Sequence, residues 1–210
     1  MNWLKLIIKS LFAGALIALA GIVFLGCQQF IADPNIAKVV GSCLFSIGLI
    51  AVIVLEANLY TGKIGYVNSG KLALQAGCIL VFNLLIAILI GIIYKQVFPT
   101  ADPFLSRLDK TWYRMLFDGV ICGALIYLAV ELYKKTKNLI PVILCVMAFI
   151  LSGAEHCIAD AFYLGVSGFS WEAVGLLGIA VVGNSIGSLA IRWLQIGAEK
   201  IYEVPNDIQR

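Results

Sequence analysis

Apolar residues run along this chain in long blocks separated by short polar punctuation. Six blocks stand out, at about 6–27, 37–56, 72–94, 112–133, 139–155 and 171–196. A helix needs about 20 apolar residues to cross the hydrocarbon core of a bilayer. Lipid cannot satisfy free backbone groups, so each block predicts a transmembrane helix and the chain an all-α polytopic membrane protein. The fifth block is short and runs straight into SGAEHCIADA (152–161), which gathers Glu155, His156 and Asp160 where apolar residues should continue. The segment KQVFPTADPFLSRLDK (95–110), with its prolines and mixed charge, predicts a loop or short surface helix. The polar tail from Glu199 onward is too short for a regulatory domain.

Composition sharpens this picture. Charged residues make up 13% of the chain and mean hydropathy is +0.98, whereas soluble domains carry about a quarter charged residues. Almost nothing is left over for an aqueous domain, so the activity must lie within the membrane, in a single domain spanning 1–210. No cleavable signal peptide is evident. With the amino terminus inside, ten of the fifteen Lys and Arg residues fall on inner segments. That bias predicts a multi-pass protein of the inner (plasma) membrane with both termini cytoplasmic. The net charge of +3 is the same bias and does not imply nucleic-acid binding. The six cysteines are scattered without a CxxC pair and read as apolar filler. With one histidine and no second ligand cluster, no metal or cofactor is expected, and no nucleophile or cofactor motif suggests an enzyme.

The chain also repeats itself. The second block ends VLEANLYTG (54–62) and the fifth ends GAEHCIADA (153–161), so that Glu56 can be set on Glu155. The third block carries Asn83 and the sixth Asn184. GALIALA (14–20) matches GALIYLA (123–129), although LFAG and LFDG would align four residues differently. Repeat A covers about 6–94 and repeat B about 112–197. Three crossings per repeat make the second copy inverted, and inverted repeats with matched broken helices mark transport proteins. Backbone freed by a break must face protein or a cavity, so both interruptions point inward. A charged group at mid-bilayer costs about 2.5–3.5 kcal/mol on insertion scales. Glu56, Asn58, Glu155, Asp160, Asn83 and Asn184 are therefore expected to anchor the breaks, the acids against free N–H groups of the half-helices.

These motifs resemble those of the formate/nitrite transporters. GAEHCIADAFYLG is similar to the fifth-span signature of that family, NLYTG to its second-span loop with Asn58 in place of an acid, and VGNSIGS to its sixth-span G-N-x-x-G. The resemblance covers about 6–197 and implies an aquaporin-like protomer in a homopentamer, with one pore per subunit. It implies conduction of a small monovalent anion such as formate, nitrite or hydrosulfide, often with a proton. By resemblance, His156 is the central pore histidine, and Leu59, Tyr60 and Thr61 form the loop facing it. Phe45, Leu49 and Phe149 match hydrophobic constrictions, and Arg107 or Lys110 a basic outer mouth. The chain departs from the family pattern at Gly123, Ile86 and Asp160, where asparagine, glycine and asparagine are commoner.

Histidine is the one side chain whose ordinary pKa lies near neutrality. His156 is thus expected either to donate a proton to the anion or to hydrogen-bond it, opposite the Thr61 hydroxyl. The alternative is a neutral-solute channel of the same architecture, for water, glycerol or ammonia, although the N-P-A motifs of aquaporins are absent.

Overall fold

The computed structural model describes residues 2–99 and 101–202, so the expected tail beyond 202 lies outside the described residues. Five helices are long and apolar enough to span a bilayer: α1 (Trp3–Phe30), α2 (Pro34–Val54), α4 (Gly70–Val97), α6 (Trp112–Thr136) and α9 (Trp171–Tyr202). The fifth crossing is built from two shorter apolar helices, α7 (Ile140–Leu151) and α8 (Cys157–Ser167). Two single-turn helices complete the set: α3 (Tyr60–Lys63), which runs into a 3-10 turn, and α5 (Leu105–Leu108) in the long connection. Six crossings bring the start of α1 and the end of α9 to one side, here called the terminal face. The other is the opposite face.

Local chemistry sets the helix starts. Asn2, Asp33 and Ser69 cap α1, α2 and α4 through side-chain oxygens, and Pro34 occupies the first turn of α2, where a missing N–H costs nothing. Helix α1 packs on α2 and α4, α6 packs on α7 and α9, and α4 crosses between the halves to α8. Large apolar side chains, among them Leu74, Leu85, Phe117, Leu144 and Trp193, face outward, as lipid contact requires.

The two breaks have the same construction. Helix α2 closes with Ala57 N–H bonding Val52 C=O and Glu56 N–H bonding Ile53 C=O. Helix α7 closes with Ala154 N–H on Phe149 C=O and Gly153 N–H on Ile150 C=O. Both are Schellman closures, which place one residue in the left-handed region. That residue is Glu56 (φ 51°) in the first break and Gly153 (φ 76°) in the second. Structurally, then, Glu56 corresponds to Gly153, Asn58 to Glu155 and Leu59 to His156. This register lies two residues from the one that pairs Glu56 with Glu155, because identical acids dominate the sequence match whereas backbone closure decides the structural one.

The ambiguity over the first and fourth spans resolves in favour of GALIALA and GALIYLA. A Cβ on Gly14 would meet the Asn83 backbone, and one on Gly123 would meet the Asn184 carbonyl. Gly123 is therefore a helix-contact position rather than an open stretch of pore wall.

Candidate functional site

After each Schellman turn the chain heads back to the middle of the bundle, where Leu59 and His156 are buried. Two asparagines hold these returning segments. Asn83 of α4 donates to the carbonyls of Ser10 (2.6 Å) and Asn58 (3.0 Å) and accepts from Tyr60 N–H (2.8 Å). Asn184 of α9 donates to the carbonyls of Gly119 (2.9 Å) and Glu155 (2.8 Å) and accepts from Cys157 N–H (3.0 Å). A buried amide using three of its hydrogen-bonding positions on backbone fixes a bend that lipid could not solvate.

The acids behave differently from the expectation that half-helix N–H groups hold them. The start of α8 is satisfied by Asn184 and by the ring of His156, whose Nδ1 accepts from Ala159 N–H at 3.2 Å. Glu155 pairs instead with Lys110 (2.6 Å) and Arg107 (2.8 Å), both from the connection after α4. Asp160 lies 3.0 Å from the same Arg107 Nε. Lys110 and Arg114 also meet Asp118 of α6, a buried acid that the sequence reading passed over although it interrupts an apolar run in LFDG. Glu56 anchors through its backbone carbonyl, which accepts from Lys9 Nζ at 2.9 Å, while its carboxylate is 85% exposed.

Burial works against the Arg107 charge, yet the carboxyl groups beside it, Glu155 foremost, more than offset it, so the guanidinium pKa stands above its ordinary value. Lys110 is likewise raised, with burial opposed by Glu155 and Asp118. Both side chains thus stay cationic under a lid of acids. Arg107 also stacks its guanidinium over the Tyr163 ring at 4.7 Å.

Two cavities approach the centre from opposite faces. The one on the opposite face encloses about 320 Å³ and is bordered by Lys38, Arg107, Lys110, Glu155 and Asp160, with Phe45, Phe149 and His156 among its inner walls. Both basic residues suggested for the mouth therefore line it, together with Lys38, which nothing in the local sequence distinguishes. The terminal-face cavity encloses about 510 Å³ and is bordered by Lys9, Lys63, Lys134 and Lys137, with Leu49 and Leu59 as apolar walls. The two share no lining residue.

Between them lies the septum. Phe45 and Phe149 meet edge to face with centroids 6.2 Å apart, and Phe149 stacks on the His156 ring at 6.0 Å. His156 Nε2 and Thr61 Oγ1 are 2.9 Å apart, joining the two break segments across the bundle. Since Nδ1 accepts a backbone N–H, the neutral ring carries its hydrogen on Nε2 and Thr61 accepts it. Tyr60 points away, its hydroxyl 2.8 Å from Ser185 Oγ on α9. Among the described residues no cluster of three or more His, Cys, Asp or Glu could hold a metal ion.

Known proteins place this architecture. The nitrite transporter NirC of Escherichia coli (strain K12) is 26% identical over 195 residues, covering 82% of this chain and 72% of the relative. A solved FNT family ion channel superposes with a TM-score of 0.78 at 22% identity, covering 97% of this chain and 92% of its own. A pentameric formate channel with formate bound superposes at 0.72 and 18% identity, covering 94% and 95% of the two chains. At these identities the two structures share the fold. The model of the formate/nitrite transporter family matches residues 1–196, and with both break segments inside that span the chain belongs to this family of transporters.

Proposed function

We propose that this chain is a channel or secondary transporter for a small monovalent anion, formate or nitrite being the leading choices, moved together with a proton. The observation that carries the reading is the pair of cation-bordered cavities separated by a short apolar septum that holds one hydrogen-bonding pair, His156 and Thr61. Lysines at each mouth, joined by Arg107 at the opposite face, concentrate anions. The Phe45–Phe149 contact and the Leu49 and Leu59 walls then exclude water, and a bare ion there would meet a desolvation penalty of several kcal/mol. A proton on the anion removes most of that penalty, and the remaining polar atoms need donors inside the septum. His156 Nε2–H is positioned to supply one, and the Thr61 hydroxyl can rotate to supply another. The Ala159 bond to Nδ1 favours a neutral hydrogen-bonding imidazole over an imidazolium donor, since a hydrogen on Nδ1 would oppose that N–H.

The assembly proposed is a homopentamer, like the pentameric formate channel that shares the fold. The membrane proposed is the inner one, with the terminal face in the cytoplasm. The lysines around the terminal-face cavity agree with that orientation.

Uptake of labelled formate, nitrite and hydrosulfide into proteoliposomes at two pH values tests the reading. His156→Asn removes the Nε2–H donor. An acceptor of the protonated anion left without a donor in the septum costs about 1–3 kcal/mol, so flux should fall by roughly 5- to 150-fold. Undiminished flux in the variant would remove His156 from the path. Uptake of uncharged solute alone, with no anion response, would replace the reading with a neutral-solute channel of aquaporin-like architecture.

A further inference from the structure

The acids in contact with the cations of the opposite-face cavity are unequally served. Both oxygens of Glu155 meet cations, Oε1 with Lys110 and Oε2 with Arg107. Both oxygens of Asp118 do as well, through Arg114 and Lys110. Asp160 is completely buried, its Oδ1 shares the Arg107 Nε already bonded to Glu155, and its Oδ2 has no hydrogen-bond partner. Arg107 Nη1 is committed elsewhere, since it donates to the Pro103 carbonyl. An ionised carboxylate in this position would leave a buried oxygen bare, at a cost of several kcal/mol.

The neighbouring carboxyl supplies the missing piece. Glu155 Oε2 and Asp160 Oδ1 sit on the same Arg107 Nε, at 2.8 and 3.0 Å, which brings the two carboxyl groups side by side. Two carboxylates only accept, so such a pair bonds only when one of them keeps a proton. Glu155 has a cation on each oxygen, which leaves the proton to Asp160. The other titratable and charged groups around this point are Arg107 and Lys110 from the connection after α4, His156 from the break, and Asp118 and Cys122 from α6. Along α8 itself stand Cys157 and Tyr163. Helix α4 turns Tyr94 towards α8, and α9 contributes Asn184, which does not titrate.

We propose that Asp160 is held as the neutral carboxylic acid and that its ionisation is a pH switch on anion entry through the opposite-face cavity. With Asp160 neutral, three cations (Lys38, Arg107 and Lys110) and one carboxylate border the cavity. Ionisation adds a second carboxylate and halves the positive excess that draws anions in. Protonation therefore opens the electrostatic entrance, and rising pH closes it. The Ala159 N–H bond to Nδ1 favours a neutral His156 ring, so the switch is assigned to the acid. The proposal rests on the anion-path reading for its transport consequence, whereas the state of the proton is independent of transport.

Infrared spectroscopy of the full-length protein in ester-free detergent reads the proton directly. A buried carboxylic-acid carbonyl band is expected in the unaltered protein and should be lost in Asp160→Asn. Flux measured with one anion in both proteins should decline with pH, and less steeply in Asp160→Asn, since the part of the decline due to the co-transported proton and the anion's own titration is common to the two. Glu155→Gln frees Arg107 for Asp160 and should shift the flux midpoint to lower pH, giving a readout that survives if Asp160→Asn fails to assemble. Absence of the band, its persistence in Asp160→Asn, or an unchanged pH profile in Asp160→Asn or Glu155→Gln would overturn the switch. A band that behaves as expected in a protein that moves no anion would overturn the path reading while leaving the proton on Asp160.

Discussion

At the scale of single residues, the two breaks differ most where a left-handed backbone is required. Gly153 takes φ 76° without a side chain to clash, and nothing crowds the space where a Cβ would stand. Glu56 takes φ 51° with a full side chain, which costs roughly 1–2 kcal/mol relative to glycine. The Lys9 contact to its carbonyl helps to hold it there. Gly153→Ala should therefore lower stability by about 1 kcal/mol, and Glu56→Gly should leave it unchanged or raise it. Thermal unfolding in detergent, with the two variants side by side, checks both signs. The sequence made His156 and Thr61 conspicuous, one as the lone histidine and the other by its place in NLYTG. Their direct contact joins residues 95 positions apart, and no local pattern encodes that.

At the scale of elements, the asparagines on α4 and α9 and the glycines facing them form two equivalent clamps. Gly14 lets α1 lie against Asn83, and Gly123 lets α6 lie against Asn184. Asn184→Leu strands the Cys157 N–H and the Glu155 carbonyl in a buried site. Each unpaired group costs about 1–3 kcal/mol, so the variant should unfold well below the parent temperature or fail to assemble. Gly123→Ala pushes a methyl into the Asn184 backbone and should cost about 1–3 kcal/mol. Gly77→Ala meets nothing within 4 Å and should be neutral or slightly stabilising. Comparing the melting temperatures of this pair separates crowding from a general intolerance of alanine. The helices themselves were plain in the apolar blocks: α1, α4, α6 and α9 extend theirs by at most six residues at either end, whereas α2 stops two residues and α7 four residues short, at the breaks. The helix-to-helix clamp was visible as two isolated asparagines, although which backbone groups they bond depends on the fold.

At the scale of the whole molecule, two cavities with basic borders lie on either side of an apolar septum, the pathway proposed here, and a wide belt of apolar side chains faces outward. Part of that belt meets lipid, and in the proposed homopentamer part of it meets neighbouring subunits. Native mass measurement of the detergent-solubilised protein should give five chains per particle, and a monomer or trimer would remove the pentamer from the proposal. The alternation of mouths also explains why lone lysines such as Lys38 and Lys63 were unremarkable in the sequence. Each belongs to a different segment, and they become part of a basic rim only when six crossings bring their ends together.

The sequence by itself determined that the chain crosses a membrane six times, that it does so in two related halves, and that each half is interrupted near a polar motif. Hydrophobic length and backbone satisfaction in lipid are local requirements, so they leave local traces. Tertiary structure alone decided the register of the two halves, the partners of Glu155 and Asp160, and the direction of the histidine ring. Those depend on which groups from distant segments reach one buried point. There, unpaired hydrogen-bonding atoms and unbalanced charge cost more than any local preference can recover.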